Sequence, residues 1–273
     1  MVNQVKKGLV SVTFRSLHPM EILDLVSETG LEAIEWGGDI HVPVGDLVRA
    51  AQIGQETRIR GIAIPTYGSY YCAGLRRDEI NDAKPNPDFA RVLATAEALG
   101  AANIRVWANH TASQAADEAT WQRTVEDLAR IGDMAAASGI IVSLEYHNNT
   151  LNDRPAATSR LLSALTKPQP IYTLWQPLNE LDFLDNLETL QAAQPYLSHV
   201  HVFASQGAGS LLKTAEAEWS RYLPRLLAIP EIETPDHMKQ PRCFMIEFVQ
   251  NETRESFQAD AATLTDWLAQ WGH

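Results

Sequence analysis

The chain alternates short apolar runs with longer amphipathic stretches along nearly its whole length, and this pattern constrains the fold more than any other feature. Each apolar run has the length of a strand, and each amphipathic stretch has the length of a helix. Such repeats indicate a parallel sheet, because parallel strands need a crossover connection, usually a helix. The 273 residues contain eight units, or about 34 residues each, which is close to the spacing in a compact (β/α)8 TIM barrel.

The expected elements have recognisable ends. Gly30 and Gly100 are predicted to end helices as left-handed C-terminal residues, and Asn86 and Pro87 to begin one. The predicted strands are Leu9–Phe14, Ala33–Trp36, Gly61–Thr66, Asn103–Trp107, Ile140–Tyr146, Ile171–Trp175, Ser198–Phe203 and Cys243–Val249. The predicted helices are Met20–Thr29, Asp46–Gln55, Asn86–Gly100, one from Ser113 or Thr120 to Gly139, Arg154–Thr166, Asn179–Ala193, Ala215–Leu227 and Arg254–Trp271.

No Gly/Ser/Pro-rich linker divides the chain, so we expect residues 1–273 to form one barrel domain. The alternative is a doubly wound open sheet. Against that alternative, no G-x-G-x-x-G or G-x-x-x-x-G-K loop follows any predicted strand.

Composition excludes several classes of partner. The net charge of −12 opposes nucleic-acid binding, which needs a positive field. No apolar run reaches the roughly 20 residues that span a bilayer, and no signal-peptide pattern opens the chain. The two cysteines, Cys72 and Cys243, suit a reducing compartment. We therefore expect a cytoplasmic protein that binds neither nucleic acid nor membrane, with a homodimer left open.

Polar side chains fall late in the predicted strands, where the chemistry of a (β/α)8 barrel gathers. Strand five ends in Glu145 and strand six in Gln176, while His201 and Glu247 lie in strands seven and eight. A carboxylate in an apolar strand is costly unless it is paired or bound to a metal. Two carboxylates, an imidazole and an amide oxygen from neighbouring strands are a set that suits a divalent ion.

Structural explanations compete with this one. A strand glutamate is often salt-bridged, and Arg105 is the natural partner for one. His199, lower in its strand than His201, is expected to be structural. The tryptophans at 36, 107 and 175 suit packing, although the last two lie near the expected mouth of the barrel.

The chain resembles the sugar phosphate isomerase/epimerase group of xylose-isomerase-like TIM barrels, whose relatives include tagatose 3-epimerases, inosose dehydratases and apurinic endonucleases. The similar segments are LEAIEWGGDIHVPVGD, SLEYH, HVHVF and IEF. The resemblance implies one divalent metal ion (Mn2+, Mg2+, Co2+ or Zn2+) held by Glu145, Gln176, His201 and Glu247. Relatives often have aspartate where this chain has Gln176 and histidine where it has Asn179. The neutral amide is expected to weaken metal binding.

The resemblance also implies that Glu145 and Glu247 move a substrate proton as the catalytic pair. Proton return to the same carbon gives epimerisation, return to the neighbouring carbon gives isomerisation, and loss of a β-hydroxyl gives dehydration. The sequence leaves these three outcomes open for a small carbohydrate substrate.

Four further residues are expected to bind that substrate: His41, Trp107, His147 and Arg105. Asp39 is a further candidate for contacting its hydroxyl groups. Arg15 and Arg154 can hold a carboxylate or phosphate, although each is more readily explained as a surface or salt-bridging arginine.

Two other functional classes stay open. A nucleic-acid repair endonuclease would need more metal ligands and a basic face, and the sequence shows neither clearly. A non-catalytic sugar-binding barrel would tolerate loss of ligands, and Gln176 is the residue that favours it.

Overall fold

Eight parallel strands close into a barrel in the order of the sequence, and the predicted (β/α)8 architecture is confirmed. The computed structural model describes residues 5–81, 86–165, 171–204, 209–232 and 240–271. The strands are β1 Lys6–Val10, β2 Ala33–Gly37, β3 Ala63–Ala73, β4 Asn103–Ala108, β5 Ile141–Glu145, β6 Ile171–Trp175, β7 Leu197–Val202 and β8 Cys243–Ile246. Closure comes from β8 pairing with β1, where Ile246 lies opposite Leu9.

The α-helices of the described residues surround the barrel: α1 Pro19–Thr29, α2 Leu47–Ile59, α3 Phe89–Leu99, α4 Glu118–Ala137, α5 Pro155–Ala164, α6 Phe183–Ala193, α7 Glu216–Ala228 and α8 Arg254–Trp271. Gly30 and Gly100 end α1 and α3 with positive φ, as predicted. The predicted end of the fifth helix, Thr166, lies outside the described residues. Among the described residues, none of the α-helices combines the length and the hydropathy that a transmembrane span requires.

Each strand serves two environments, because successive side chains point to opposite faces. Outward residues such as Val142 and Leu144 join the apolar core shared with the helices. Inside the barrel, Ser143 Oγ accepts from Asn103 Nδ2 at 2.9 Å and lies 2.8 Å from Ser198 Oγ. The barrel interior is therefore polar and hydrogen-bonded beneath the ends of β4, β5 and β7.

Three predicted helix starts were wrong because aspartates cap the helices. The cap of α3 is Asp88, not Asn86, whose side chain instead bonds both backbone groups of Cys72. Asp117 caps α4 in place of Ser113 or Thr120. Asp182 caps α6, three residues beyond Asn179. A carboxylate that accepts a backbone N–H of the first turn decides each start.

Three predicted strands also had wrong bounds. The first strand ends at Val10, and Ser11–Phe14 forms a 3-10 turn in which Ser11 Oγ accepts the N–H of Gly37 at 2.9 Å. The third strand runs on to Ala73 through a bulge between Gly68 and Tyr71. The eighth ends at Ile246, since Phe248 adopts φ +57°. All three differences lie at the end of the barrel where the strands terminate.

The buried Asp260 of α8 allows the packing of α8 against Leu212–Ala215, the segment before α7, to be tested. It is 2% exposed, and its Oδ1 accepts the N–H of Leu212 at 2.7 Å. Burial raises the pKa of Asp260 to about 6, although the Leu212 hydrogen bond lowers it. Because the folded-state pKa lies above the unfolded one, ionisation destabilises the fold as pH rises through 6.

We therefore expect Asp260→Asn to raise the free energy of unfolding by about 1–2 kcal/mol at pH 8, with the gain shrinking towards pH 4.5. Urea denaturation at both pH values measures this. Asp266→Asn, at an exposed position of the same helix, is the matched control. An equal effect of Asp260→Asn at the two pH values would contradict the burial argument.

Candidate active site

A cavity of about 190 Å³ lies at the C-terminal ends of the strands. It is smaller than the roughly 300–1,000 Å³ typical of drug-sized ligand sites, so it suits a small molecule. Its described lining mixes charged, amide and aromatic side chains: Val12, Thr13, Arg15, Tyr70, Arg105, Trp107, Glu145, His147, Gln176, Glu247 and Phe248.

Glu145 is the last residue of β5 and is 4% exposed. Its Oε2 accepts hydrogen bonds from Arg105 Nη1 and Trp107 Nε1, and its Oε1 accepts from Gln176 Nε2 at 3.3 Å. Burial alone would raise the pKa of Glu145, but Arg105, His147 and His201 together outweigh burial and lower it. Glu145 is therefore a carboxylate held in one orientation.

His201 of β7 is fully buried, and its Nδ1 faces the other predicted ligands. It lies 3.2 Å from Gln176 Oε1, 3.3 Å from Glu247 Oε2 and 3.9 Å from Glu145 Oε1. The structure thus brings together all four residues that the sequence predicted would converge.

Glu247 follows β8 directly, and its backbone N–H donates to Val202 O at 3.0 Å. Its side chain is about 8% exposed. Among the described residues, its Oε2 has no well-aligned hydrogen-bond partner. His201 Nδ1 lies 3.3 Å from this oxygen, so the oxygen is paired by charge, and its remaining lone pairs can accept a further ligand.

The charges around His201 nearly balance. Burial would lower its pKa, but Glu35 and Glu247 outweigh burial and raise the pKa of His201 to about 10. Burial would raise the pKa of Glu35, but Arg105 and His201 lower it to about 2. Three carboxylates therefore face one guanidinium and one imidazolium, with one negative charge left for a cation.

Whether these residues suit a divalent ion depends on their donor atoms. No three His, Cys, Asp or Glu side chains of the described residues are arranged as a formed metal site. However, ligands bound at about 2.0–2.2 Å lie roughly 3–3.6 Å from each other. His201 Nδ1 lies 3.2 Å from Gln176 Oε1 and 3.3 Å from Glu247 Oε2, within that range, whereas Glu145 Oε1 is farther away at 3.9 Å. The donor set fits an ion, provided that His201 releases its Nδ1 proton.

Most of the expected substrate-binding residues line the cavity. Trp107, His147 and Arg105 are in its wall, with the Trp107 and His147 rings 5.2 Å apart. Arg105 also has the salt-bridging role that the sequence suggested. Arg15 lines the cavity and pairs with Asp39 at 2.5 Å.

Three expected contacts lie outside the described lining, and one of them, Asp39, reaches it only through its ion pair with Arg15. The other two are His41 and Arg154. His41 is 1% exposed, with its Nδ1 3.0 Å from Ser11 Oγ and its ring edge-on to Trp36. Burial lowers the pKa of His41 to about 4, which is the behaviour of a core histidine. Arg154 is exposed at the start of α5. Neither is among the described residues that line the cavity.

Sequence reasoning missed Val12 and Thr13 of the cavity wall and three residues with a clearer role in the site. Glu35 lies in β2, fully buried beside Arg105 and His201; its apolar strand carried the same signal that identified Glu145. Tyr70 and Phe248 enter the cavity wall because their backbones take φ values of +56° and +57°. No sequence pattern predicts a positive φ at an aromatic residue, because bulky residues rarely adopt the left-handed conformation.

Comparisons with known proteins agree with this architecture. The family model for the xylose isomerase-like TIM barrel matches residues 23–215. The chain therefore belongs to the xylose isomerase-like TIM barrel family. A search of curated proteins gave no match.

Several solved structures share the fold. L-ribulose 3-epimerase has 14% identity and a TM-score of 0.71, over 98% of this chain and 96% of that one. The probable 3-DHS dehydratase AsbF from Bacillus anthracis has 19% identity and a TM-score of 0.65, over 95% and 98%. The IOLI protein with a bound zinc atom has 14% identity and a TM-score of 0.70, over 97% and 99%. At these identities the likeness establishes the fold alone.

The contribution of the buried Arg105 ion pairs to the stability of the fold can be tested by removing the guanidinium. Arg105→Met leaves Glu35 and Glu145 without their shared cation, so we expect the free energy of unfolding to fall by about 3–5 kcal/mol. Urea denaturation followed by circular dichroism measures the change. Arg254→Met is the control, because Arg254 pairs with Glu28 at the surface and should cost less than about 1 kcal/mol. Similar losses of unfolding free energy in both variants would show that the buried ion pairs stabilise the fold no more than a surface pair does.

Proposed function

We propose that the protein is a metal-dependent isomerase or epimerase of a small sugar or polyol ketone, acting by proton transfer through an enediolate. The observation that carries this proposal is the pair of carboxylates, Glu145 and Glu247, that line one small cavity together with Gln176. His201 lies directly behind them, within 4 Å of an oxygen of each.

The proposed cofactor is one divalent ion. Glu145, Gln176, His201 and Glu247 would hold it, and when bound it would supply Lewis-acid stabilisation of negative charge on a substrate oxygen. The zinc atom in the structurally similar IOLI protein supports a divalent ion in this family. The metal-ligand roles of these residues are part of the proposal.

The two glutamates would act on the carbon next to the substrate carbonyl. Glu145 is ionised and oriented by Arg105 and Trp107, so it can accept a proton without rearranging. Glu247 follows β8, three strands around the barrel from β5, and would deliver a proton to the opposite face of that carbon. Return to the same carbon would invert its configuration, and return to the neighbouring carbon would isomerise the sugar.

The aromatic wall would position the substrate and exclude water. The indole N–H of Trp107 donates to Glu145, and the face of the ring would contact substrate C–H groups. The Tyr70 ring packs edge-on to Trp107 with centroids 5.4 Å apart. Arg15 donates to the Tyr70 hydroxyl at 3.3 Å and gives the rim hydrogen-bond donors for substrate oxygens.

Dehydration is the second candidate reaction. The similarity to a probable dehydratase favours it as the alternative. The same proton abstraction followed by loss of a β-hydroxyl would give an unsaturated product. Proton NMR distinguishes the reactions, because an epimer keeps every hydroxyl and a dehydration product does not.

Deuterium incorporation tests the proton-transfer mechanism. Ketoses, aldoses and inososes are incubated in D2O with Mn2+, Co2+ or Mg2+, and products are read by NMR after the metal is removed. We expect deuterium at the reacting carbon, because a proton held on a glutamate exchanges with solvent. Glu145→Gln and Glu247→Gln should each lower turnover by roughly 10²–10⁴-fold.

Glu126→Gln, at an exposed position of α4, is the control and should keep full turnover. Product without deuterium, or near-full turnover in either cavity variant, would rule out the mechanism. Binding of a sugar without any exchange would instead favour a non-catalytic sugar-binding barrel.

The charge of residue 176 provides a test of the metal site. Gln176→Asp adds a carboxylate beside His201, so we expect Mn2+ to bind more tightly in calorimetric titration. The matched control is Gln122→Glu, which adds the same charge at an exposed position of α4. Equal or weaker affinity in the Gln176→Asp variant would contradict the proposed ligand set.

A further inference from the structure

Glu35 of β2 contacts both Arg105, which holds Glu145, and His201, one of the proposed metal ligands. Its Oε1 accepts from Arg105 Nε at 2.7 Å, and its Oε2 lies 3.2 Å from His201 Nε2. It is fully buried and is not among the described residues that line the cavity. We propose that Glu35 is a positioning residue, which orients Glu145 through Arg105 and holds His201 directly. This role rests on the proposed function of the cavity.

The first link runs through a rigid group. The guanidinium of Arg105 is planar and presents its donors in a fixed fork. Its Nε is bound to Glu35 while its Nη1 donates to Glu145 Oε2. Fixing one edge of the plane therefore fixes the other, and Glu145 is left with Oε1 turned towards Gln176 and His201.

The second link sets the orientation of an imidazole. A carboxylate can only accept, so the contact with Glu35 places a proton on His201 Nε2. The other ring nitrogen, Nδ1, then points towards Gln176 and Glu247. A carboxylate behind a histidine commonly selects which ring nitrogen faces a ligand, and its loss commonly weakens metal binding about 10–100-fold.

A glycine makes room for this arrangement. A Cβ at Gly68 of β3 would lie 2.6 Å from Arg105 Nη2 and 2.9 Å from Glu35 Oε1. Neither atom can yield easily, because both belong to buried side chains that pair with each other. Gly68→Ala therefore disturbs the same pair without changing Glu35.

The test compares Glu35→Gln and Gly68→Ala with Asp260→Asn, an amide substitution of another buried carboxylate that lies outside the barrel. Two readouts are used. Calorimetry gives Mn2+ affinity, and ¹⁵N NMR of histidine-labelled, metal-free protein gives the state of the His201 ring, assigned by its loss in His201→Gln.

We expect Glu35→Gln to weaken Mn2+ binding about 10–100-fold and to shift the His201 Nε2 signal. Gly68→Ala should act in the same direction, and Asp260→Asn should change neither readout. Unchanged His201 signals and unchanged Mn2+ affinity in Glu35→Gln would overturn the role.

The two proposals fail in different ways. If wild type binds no Mn2+, the proposed metal site fails, while the His201 signals still test the positioning role. Should Glu35→Gln not fold, Gly68→Ala carries the same expectations. A Gly68→Ala protein with wild-type signals and affinity would then overturn the role.

Discussion

The mouth of the barrel depends on one buried cation, the guanidinium of Arg105, which lies between Glu35 and Glu145. Each of these groups is nearly inaccessible to water, and an isolated charge there would cost several kcal/mol. The three residues come from β2, β4 and β5, so the ion pairs can form only once these strands have paired through β3. Their mutual neutralisation is what permits ionised carboxylates inside an otherwise hydrogen-bonded interior.

The period-two alternation of the strands lets one set of residues build both the core and the site. Outward residues of β5 pack against the helices, whereas Ser143 and Glu145 point inward. Ser143 lies in a layer of neutral, hydrogen-bonded side chains with Asn103 and Ser198. Glu145, two residues later, lies in the layer of charged side chains above it. The cavity therefore lies on a rigid floor, which is how a site keeps its geometry without flexible loops.

Backbone strain shapes the cavity wall. Tyr70 and Phe248 both take left-handed conformations, which cost an L-residue roughly 1–2 kcal/mol each. Packing holds them there: the Tyr70 ring lies over Arg105 and beside Trp107, and the Phe248 ring contacts Phe203 with centroids 5.3 Å apart. Strain of this kind persists where the surrounding structure over-determines it, and it is typical of functional sites.

The sequence by itself determined the number and order of the strands, the glycine ends of two helices and the late placement of Glu145, Gln176, His201 and Glu247. These are local properties, because hydrophobic period and capping chemistry act over a few residues. The wrong predictions of helix starts were also local, because two polar residues close in sequence could each have been the N-cap.

Only the tertiary structure decided that Arg105 pairs with Glu35, seventy positions away, that His41 is buried, and that Tyr70 and Phe248 turn into the cavity. The physical reason is that partner choice among buried charges, and the strain that the backbone tolerates, depend on which side chains the assembled barrel brings together.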